Sequence, residues 1–346
     1  MSSIPFCIIE KPYMIWAADV RADNAHVLTR LDAELYYRVA HNIIGAPQSD
    51  EDAQGAATNE DRDDQDRKDV STLSRLLWHH GMETLVMLLG AYIQAPTAVH
   101  AYFLKSKTED AVQMAGFLSR EECPKYHRLE GAPFSLVSLL NGIHRCAGWQ
   151  QQHDTIVERF ARALRHMLSD YVDEKHRAEY NSIKHGLRAS HGRFALAVGI
   201  QEAPGIPAPP EAMQMVGFSR DASFFEIVKP LSNATKQQSK VNFMTEQVSV
   251  SWSLEKVLME LQLLSLLLHN TVSALRIVGG APTGSVTFHK VADDEEFWEV
   301  YFQIGSGGVP TASFEPVIDA RHISLATDKR VFDSYRRIHP AAPALS

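Results

Sequence analysis

The chain has 346 residues, 45% hydrophobic and 22% charged, an ordinary globular composition that can bury a large core. Three cysteines, Cys7, Cys123 and Cys146, exclude a disulfide framework and suit a reducing cytosol. The net charge of −8 is local: residues 49–69 carry nine acids against three bases, or −6, so the rest sums to −2.

Residues 4–16 form a mixed apolar lead-in, without the basic region, apolar run and small-residue cleavage site of a signal peptide. The spacing predicts an amphipathic helix over 25–44, with Leu28, Leu31, Leu35, Val39 and Ile43 on one face. The acidic segment 47–70 has little to bury and reads as a disordered loop. A strongly apolar helix is expected over 70–94. Pro96 suits the first position of another to about 104, and Ser106 with Glu109 caps a third towards 118. Residues 121–133 read as loop and 135–146 as helix.

Residues 154–186 predict one long helix, with Ile156, Phe160, Ala163, Leu164, Met167 and Tyr171 at the 3-and-4 spacing of a buried face. Thr155 and Glu158 form its capping box and Gly186 its stop. Short β-favouring runs follow at 193–199, 213–218 and 223–229. Four prolines within 202–211 break the first two apart. Residues 241–250 are ambiguous. Residues 251–278 are apolar nearly all round, as in a helix at the centre of a bundle. Its most apolar stretch, 261–268, is too short to span a bilayer, and no membrane partner is expected. Residues 283–291 and 296–304 read as a hairpin about Asp293-Asp294, and a tail follows with a short helix near 328–338.

The fold class is therefore α+β, predominantly α: a helical bundle with inserted and C-terminal β-hairpins. It divides into a helical region 1–192, a β-hairpin insertion 193–250, a core helix 251–278, a second hairpin 279–305 and a tail 306–346.

The chemistry concentrates where the long helix ends. Projected at about 100° per residue, Arg177, Asn181, Lys184, His185 and Arg188 share one sector, if Arg188 stays near helical geometry. Between Arg159 and Arg193 eight Lys and Arg face four acids, with four histidines besides, a local excess that attracts phosphate or carboxylate. A solvated basic last turn, favoured by the helix dipole, explains the same residues without function. Cleaving RNA without a metal needs an imidazole to move protons at the 2′-hydroxyl and a cation on the phosphorane. His185 with Lys184, Arg177 or Arg188 supplies both types.

A helix ending Asn-x-x-Lys-His-Gly, then β-hairpin sequence, then an apolar helix resembles the HEPN superfamily of small helical bundles. The resemblance covers at most residues 154–278. It implies an RNA- or nucleotide-directed protein of the cytoplasm, a metal-independent endoribonuclease or defence component, acting as a homodimer. In its terms His185, Lys184 and Asn181 are the catalytic candidates, and Arg177 and Arg188 the anion-binding ones. Catalytic members place Arg four to six residues before His. Here seven residues separate Arg177 from His185, which leaves turnover open. The literal spacing recurs at Arg21/His26, Arg75/His80, Arg120/His127 and Arg159/His166, no more often than chance gives. For Arg75/His80 a buried, hydrogen-bonded histidine is the expected reading.

Cys123, His127, His144 and Cys146 are metal-ligand types at spacings looser than structural zinc uses, so no metal is expected. No phosphate loop, nucleophile elbow or His-Glu-x-x-His occurs, and no cofactor is expected. The alternative is a non-catalytic interaction protein, with Trp298 and Tyr301 of the last hairpin as interface anchors.

Overall fold

The computed structural model describes residues 26–45, 59–122, 134–149, 152–185, 188–200, 208–230, 243–291, 295–304 and 312–319. Helices α1 (Leu35–Gly45), α2 (Asn59–Gln94), α3 (Val99–Lys105), α4 (Thr108–Ser119), α5 (Leu136–His144), α6 (His153–Val172) and α7 (Glu174–Lys184) come first. Strands β1 (Ala189–Val198), β2 (Gln214–Pro230) and β3 (Phe243–Trp252) follow, then α8 (Leu254–Val278), α9 (Glu295–Gln303) and β4 (Ala312–Asp319). The chain is α+β and predominantly helical, as its pattern predicts.

Helix α8 is the axis of the bundle. The Ser253 hydroxyl accepts the Lys256 amide (3.3 Å) at its start, and Leu261, Leu263, Leu264, Leu267, Leu268 and Leu275 are all buried. Its buried polar residues are satisfied. Thr271 donates to the Leu267 carbonyl (2.7 Å), and Asn270 donates to the His289 carbonyl (2.7 Å) while accepting the His289 amide (2.8 Å). Asn270 so fixes an extended segment beside the helix.

The apolar half of α2 packs on α8 through Trp78, Met82, Leu85, Leu88 and Leu89. A Cβ at Gly81 would lie 2.8 Å from Leu264 Cδ2, so the two helices meet where one has no side chain. By length and composition α8 could cross a membrane, but 67% of its apolar window is buried inside the protein.

The strands form one antiparallel sheet in the order β1-β2-β3-β4. Between Gly192 and Phe194, and again between Leu196 and Ala197, β2 holds one residue more than β1. Both bulges therefore lie on β2, and β1 runs without an extra residue.

Several expectations are corrected. The acidic segment is helical from Asn59, because α2 continues outward far enough for Arg67 to reach Asp221 on β2. The long helix is two helices, broken at Asp173, whose backbone is extended and whose carboxylate caps α7 by accepting the Lys175 amide (2.8 Å). Thr155 does not cap α6, which starts at His153. Residues 25–44 are interrupted before Leu35. The runs expected at 213–218 and 223–229 join in the single strand β2 (Gln214–Pro230), the ambiguous segment is strand β3 from Phe243, and the tail adds β4. The second hairpin does not form among the described residues: 286–291 carries no strand pairing and 295–303 is helix α9, since Phe297, Trp298, Tyr301 and Phe302 follow helical spacing and pack on the core. Residues 1–25 and 328–338 lie outside the described residues.

Truncating the central contact should open a cavity. Leu264→Ala is expected to lower unfolding free energy by about 2–5 kcal/mol in urea denaturation. A loss below about 1 kcal/mol would place Leu264 outside the packed centre.

Candidate functional site

Helix α7 presents two faces of opposite character. Outward, Arg177, Asn181, Lys184 and His185 are exposed. Inward, Glu179 is fully buried and meets Arg75 of α2, itself 2% exposed. Arg75 Nε donates to Glu179 Oε1 (2.9 Å) and its Nη2 to Oε2. Ser223 of β2 also donates to Glu179, and Trp252 Nε1 donates to the Ser223 hydroxyl (3.0 Å). The guanidinium lies over the rings of Trp78 (4.9 Å) and Trp252 (5.3 Å).

Two histidines complete this network. His79 Nε2 lies 3.2 Å from Glu179 Oε2, and His176 Nδ1 lies 3.0 Å from Arg75 Nη2. The carboxylate calls for a proton on His79 Nε2, and the guanidinium donor for a bare Nδ1 on His176. Burial, and then Arg75 beside it, lowers the pKa of His176. Burial likewise depresses His79, to about 4. For Glu179, burial would raise the pKa, but the Arg75 charge and the hydrogen bonds from His79 and Arg75 hold it well below 4.5. The interior pair is thus a carboxylate and a guanidinium with neutral imidazoles.

A second pair ties α2 to the sheet. Arg67 Nη2 donates to both oxygens of Asp221 (2.9 and 3.1 Å), which also accepts the Leu254 amide (3.2 Å) at the start of α8. Thr72 Oγ1 and His191 Nδ1 of β1 lie 2.9 Å apart.

The sequence-derived site residues are only partly united. Arg177 and Asn181 line a cleft of about 130 Å³ with His79, Thr108, Tyr171 and Tyr180. Tyr180 Oη donates to Glu83 (2.9 Å), as does Thr108 (2.8 Å), and the Tyr180 ring stacks on His79 at 5.0 Å. Lys184 stands outside the cleft, with its ammonium 4.6 Å from the centroid of the Tyr180 ring. His185 is the C-cap of α7. Arg188 is not on the helix. It lies just before β1 and lines a separate depression on the sheet with Phe224, Thr245 and Gln247. The helical projection therefore holds for Arg177, Asn181 and Lys184 and fails for Arg188.

Of the literal Arg/His pairs, Arg75 and His80 part company. Arg75 turns inward to His79, while exposed His80 meets Tyr36 Oη (3.0 Å) through Nδ1. Arg159 pairs with Glu295, away from His166. Among the described residues no group of three or more His, Cys, Asp and Glu is placed to hold a metal. His144 is buried beside Asn270 (3.1 Å) and Cys146 is exposed; Cys123 and His127 lie outside the described residues. Trp298 and Tyr301 are buried, with Tyr301 Oη donating to Glu260 (3.3 Å), so they are core residues and not interface anchors. The Arg75–Glu179 pair escaped sequence reasoning. Its one local trace is a cation four residues before a histidine on an apolar helix.

No family model matches the chain, and neither does any characterised protein or solved structure.

Removing one partner of the buried pair leaves the other charge uncompensated. Glu179→Gln is expected to cost about 3–5 kcal/mol, and Arg75→Met with Glu179→Leu to recover most of it, both read by denaturant unfolding. Stability should also fall with acid. His79, His144 and His191 titrate near 4 in the folded protein because they are buried, so the unfolded chain takes up their protons first as pH drops below about 6.5. Glu260, raised by burial to about 7, opposes this by holding a proton that the unfolded chain has lost above 4.5. Three histidines outweigh one acid, and Glu179 adds a further loss below 4.5. The thermal midpoint should decline steadily between pH 6.5 and 4; a flat profile would contradict neutral buried histidines.

Proposed function

We propose that the protein binds RNA or another phosphate-bearing nucleotide ligand through the outer face of α7 and the start of β1. One observation carries this reading. Among the described residues no carboxylate pairs with Arg177, Lys184 or Arg188, three exposed cations that fall within twelve consecutive residues. The carboxylate in the middle of α7, Glu179, would offset that face but is drawn inside by Arg75. Three cations and the His185 imidazole are left facing solvent, where phosphate contacts form with release of counterions.

This is the binding half of the HEPN-like expectation. What favours binding over turnover is that Lys184 and His185 stand outside the cleft that holds Arg177 and Asn181, while the imidazole inside it, His79, has its Nε2 engaged by Glu179 (3.2 Å). The Lys184 ammonium, held over Tyr180, offers a positioned point charge, and Asn181 offers an amide at the cleft mouth.

Anisotropy titration of a labelled mixed-sequence RNA tests the reading. Lys184→Ala with Arg188→Ala should weaken binding about tenfold or more and lower the salt slope by about one per lost phosphate contact, with the melting temperature unchanged. The RNA should stay intact with or without chelator. Absence of RNA affinity in the wild type, or affinity indifferent to these substitutions, would overturn the proposal. Cleavage abolished by His185→Ala would assign turnover to that imidazole.

A further inference from the structure

The β1–β2 hairpin runs outward from the bundle as a ribbon that is apolar on both sides. Val198 is 54% exposed, Met215 66%, Val216 60% and Phe218 46%. Ala195 and Ala197 are exposed as well. A two-stranded ribbon open on both faces is marginal in water, and exposed apolar clusters of this kind mark association surfaces.

The two edges of the sheet are built differently. β4, at one edge, contains Glu315, Pro316 and Asp319, the residue types that discourage another strand from adding on. β1, at the other edge, is pinned near its start, where Thr72 meets His191, and beyond Phe194 it reads Ala195-Leu196-Ala197-Val198, with neither proline nor charge. Bulges are a further protective device, and both of those in this pair lie on β2, so the outer side of β1 keeps regular strand spacing.

We infer that two copies of this chain associate by antiparallel pairing of β1 with β1, extending the four-stranded sheet across a two-fold axis. Such a pair is isologous, so the partner must complement itself. The strand does. An axis through Leu196, perpendicular to the sheet, sets Ala195 opposite Ala197 of the second copy and Phe194 opposite Val198. Arg193, the one Lys, Arg, Asp or Glu between Ala189 and Val198, then falls opposite Gly199 of the second copy and away from that copy's own Arg193. Leu196 and Val198 of both copies share one side of the joined sheet, since residues two apart on a strand face the same way. Each copy then contributes one Phe194–Val198 cross-strand contact to the other, twice across the axis, which covers part of the Val198 side chain that is 54% exposed in the single chain.

Sedimentation velocity of the full chain from about 1 to 100 μM tests the inference, together with amide exchange of the wild type at both concentrations. The mass should rise from one 38.7 kDa chain towards two, and amides within 195–198 should exchange about tenfold more slowly at the higher concentration. Ala195→Lys with Ala197→Lys places four like charges side by side across the axis and should leave a single chain mass throughout, with an unchanged melting temperature. Should that variant fail to fold, wild-type exchange decides alone. A wild type that stays at one mass with concentration-independent exchange would overturn the inference, as would a well-folded lysine variant that still dimerises.

Discussion

A carboxylate and a guanidinium share the interior, and much of the architecture answers to that fact. Glu179 and Arg75 could not stay charged in an apolar core without near-complete hydrogen bonding, and the ligands they need come from separate parts of the chain. His79 and Arg75 arrive on α2, His176 on α7, Ser223 on β2 and Trp252 on β3. Bringing those elements together fixes where the sheet sits on the bundle. It also decides which side of α7 faces solvent, because a helix that turns Glu179 inward must turn Arg177, Asn181 and Lys184 out.

The hydrophobic contribution is organised around α8. Its leucines supply an apolar surface on every side, and its neighbours contribute one apolar face each. Polar residues on α8 do not interrupt this. Asn270 and Ser273 lend their hydrogen-bonding groups to the extended segment 286–291, which has no strand partner among the described residues and uses side chains as its ladder.

Much of this was legible in advance. The all-round apolar pattern of α8 and the one-sided pattern of residues 156–171 are local facts, and both helices are present. The outward face of α7 was legible for the same reason, since Arg177, Asn181 and Lys184 belong to one short helix. What was not legible depends on distant partners. Glu179 meets Arg75 across 104 positions, and no local pattern marks an acid as internal. The break at Asp173 is of this kind too: aspartate disfavours a helix interior only mildly, and docking of α7 resolves the balance towards a cap. The acidic stretch from Asn59 looked disordered because it has little to bury, yet Arg67 within it is engaged by Asp221. Helix α9 was mistaken for strand because aromatic content outweighed spacing; Trp298 and Tyr301, three apart, belong to one helical face.

The separation of α7 from α6 has a temporal consequence. An 11-residue helix with its own start is too short to persist alone in water, and its inner side is completed only by Ser223 and Trp252. During synthesis the basic surface therefore cannot exist when α7 leaves the ribosome. It comes into being only after the third strand has emerged and closed over the carboxylate, when most of the chain has been made.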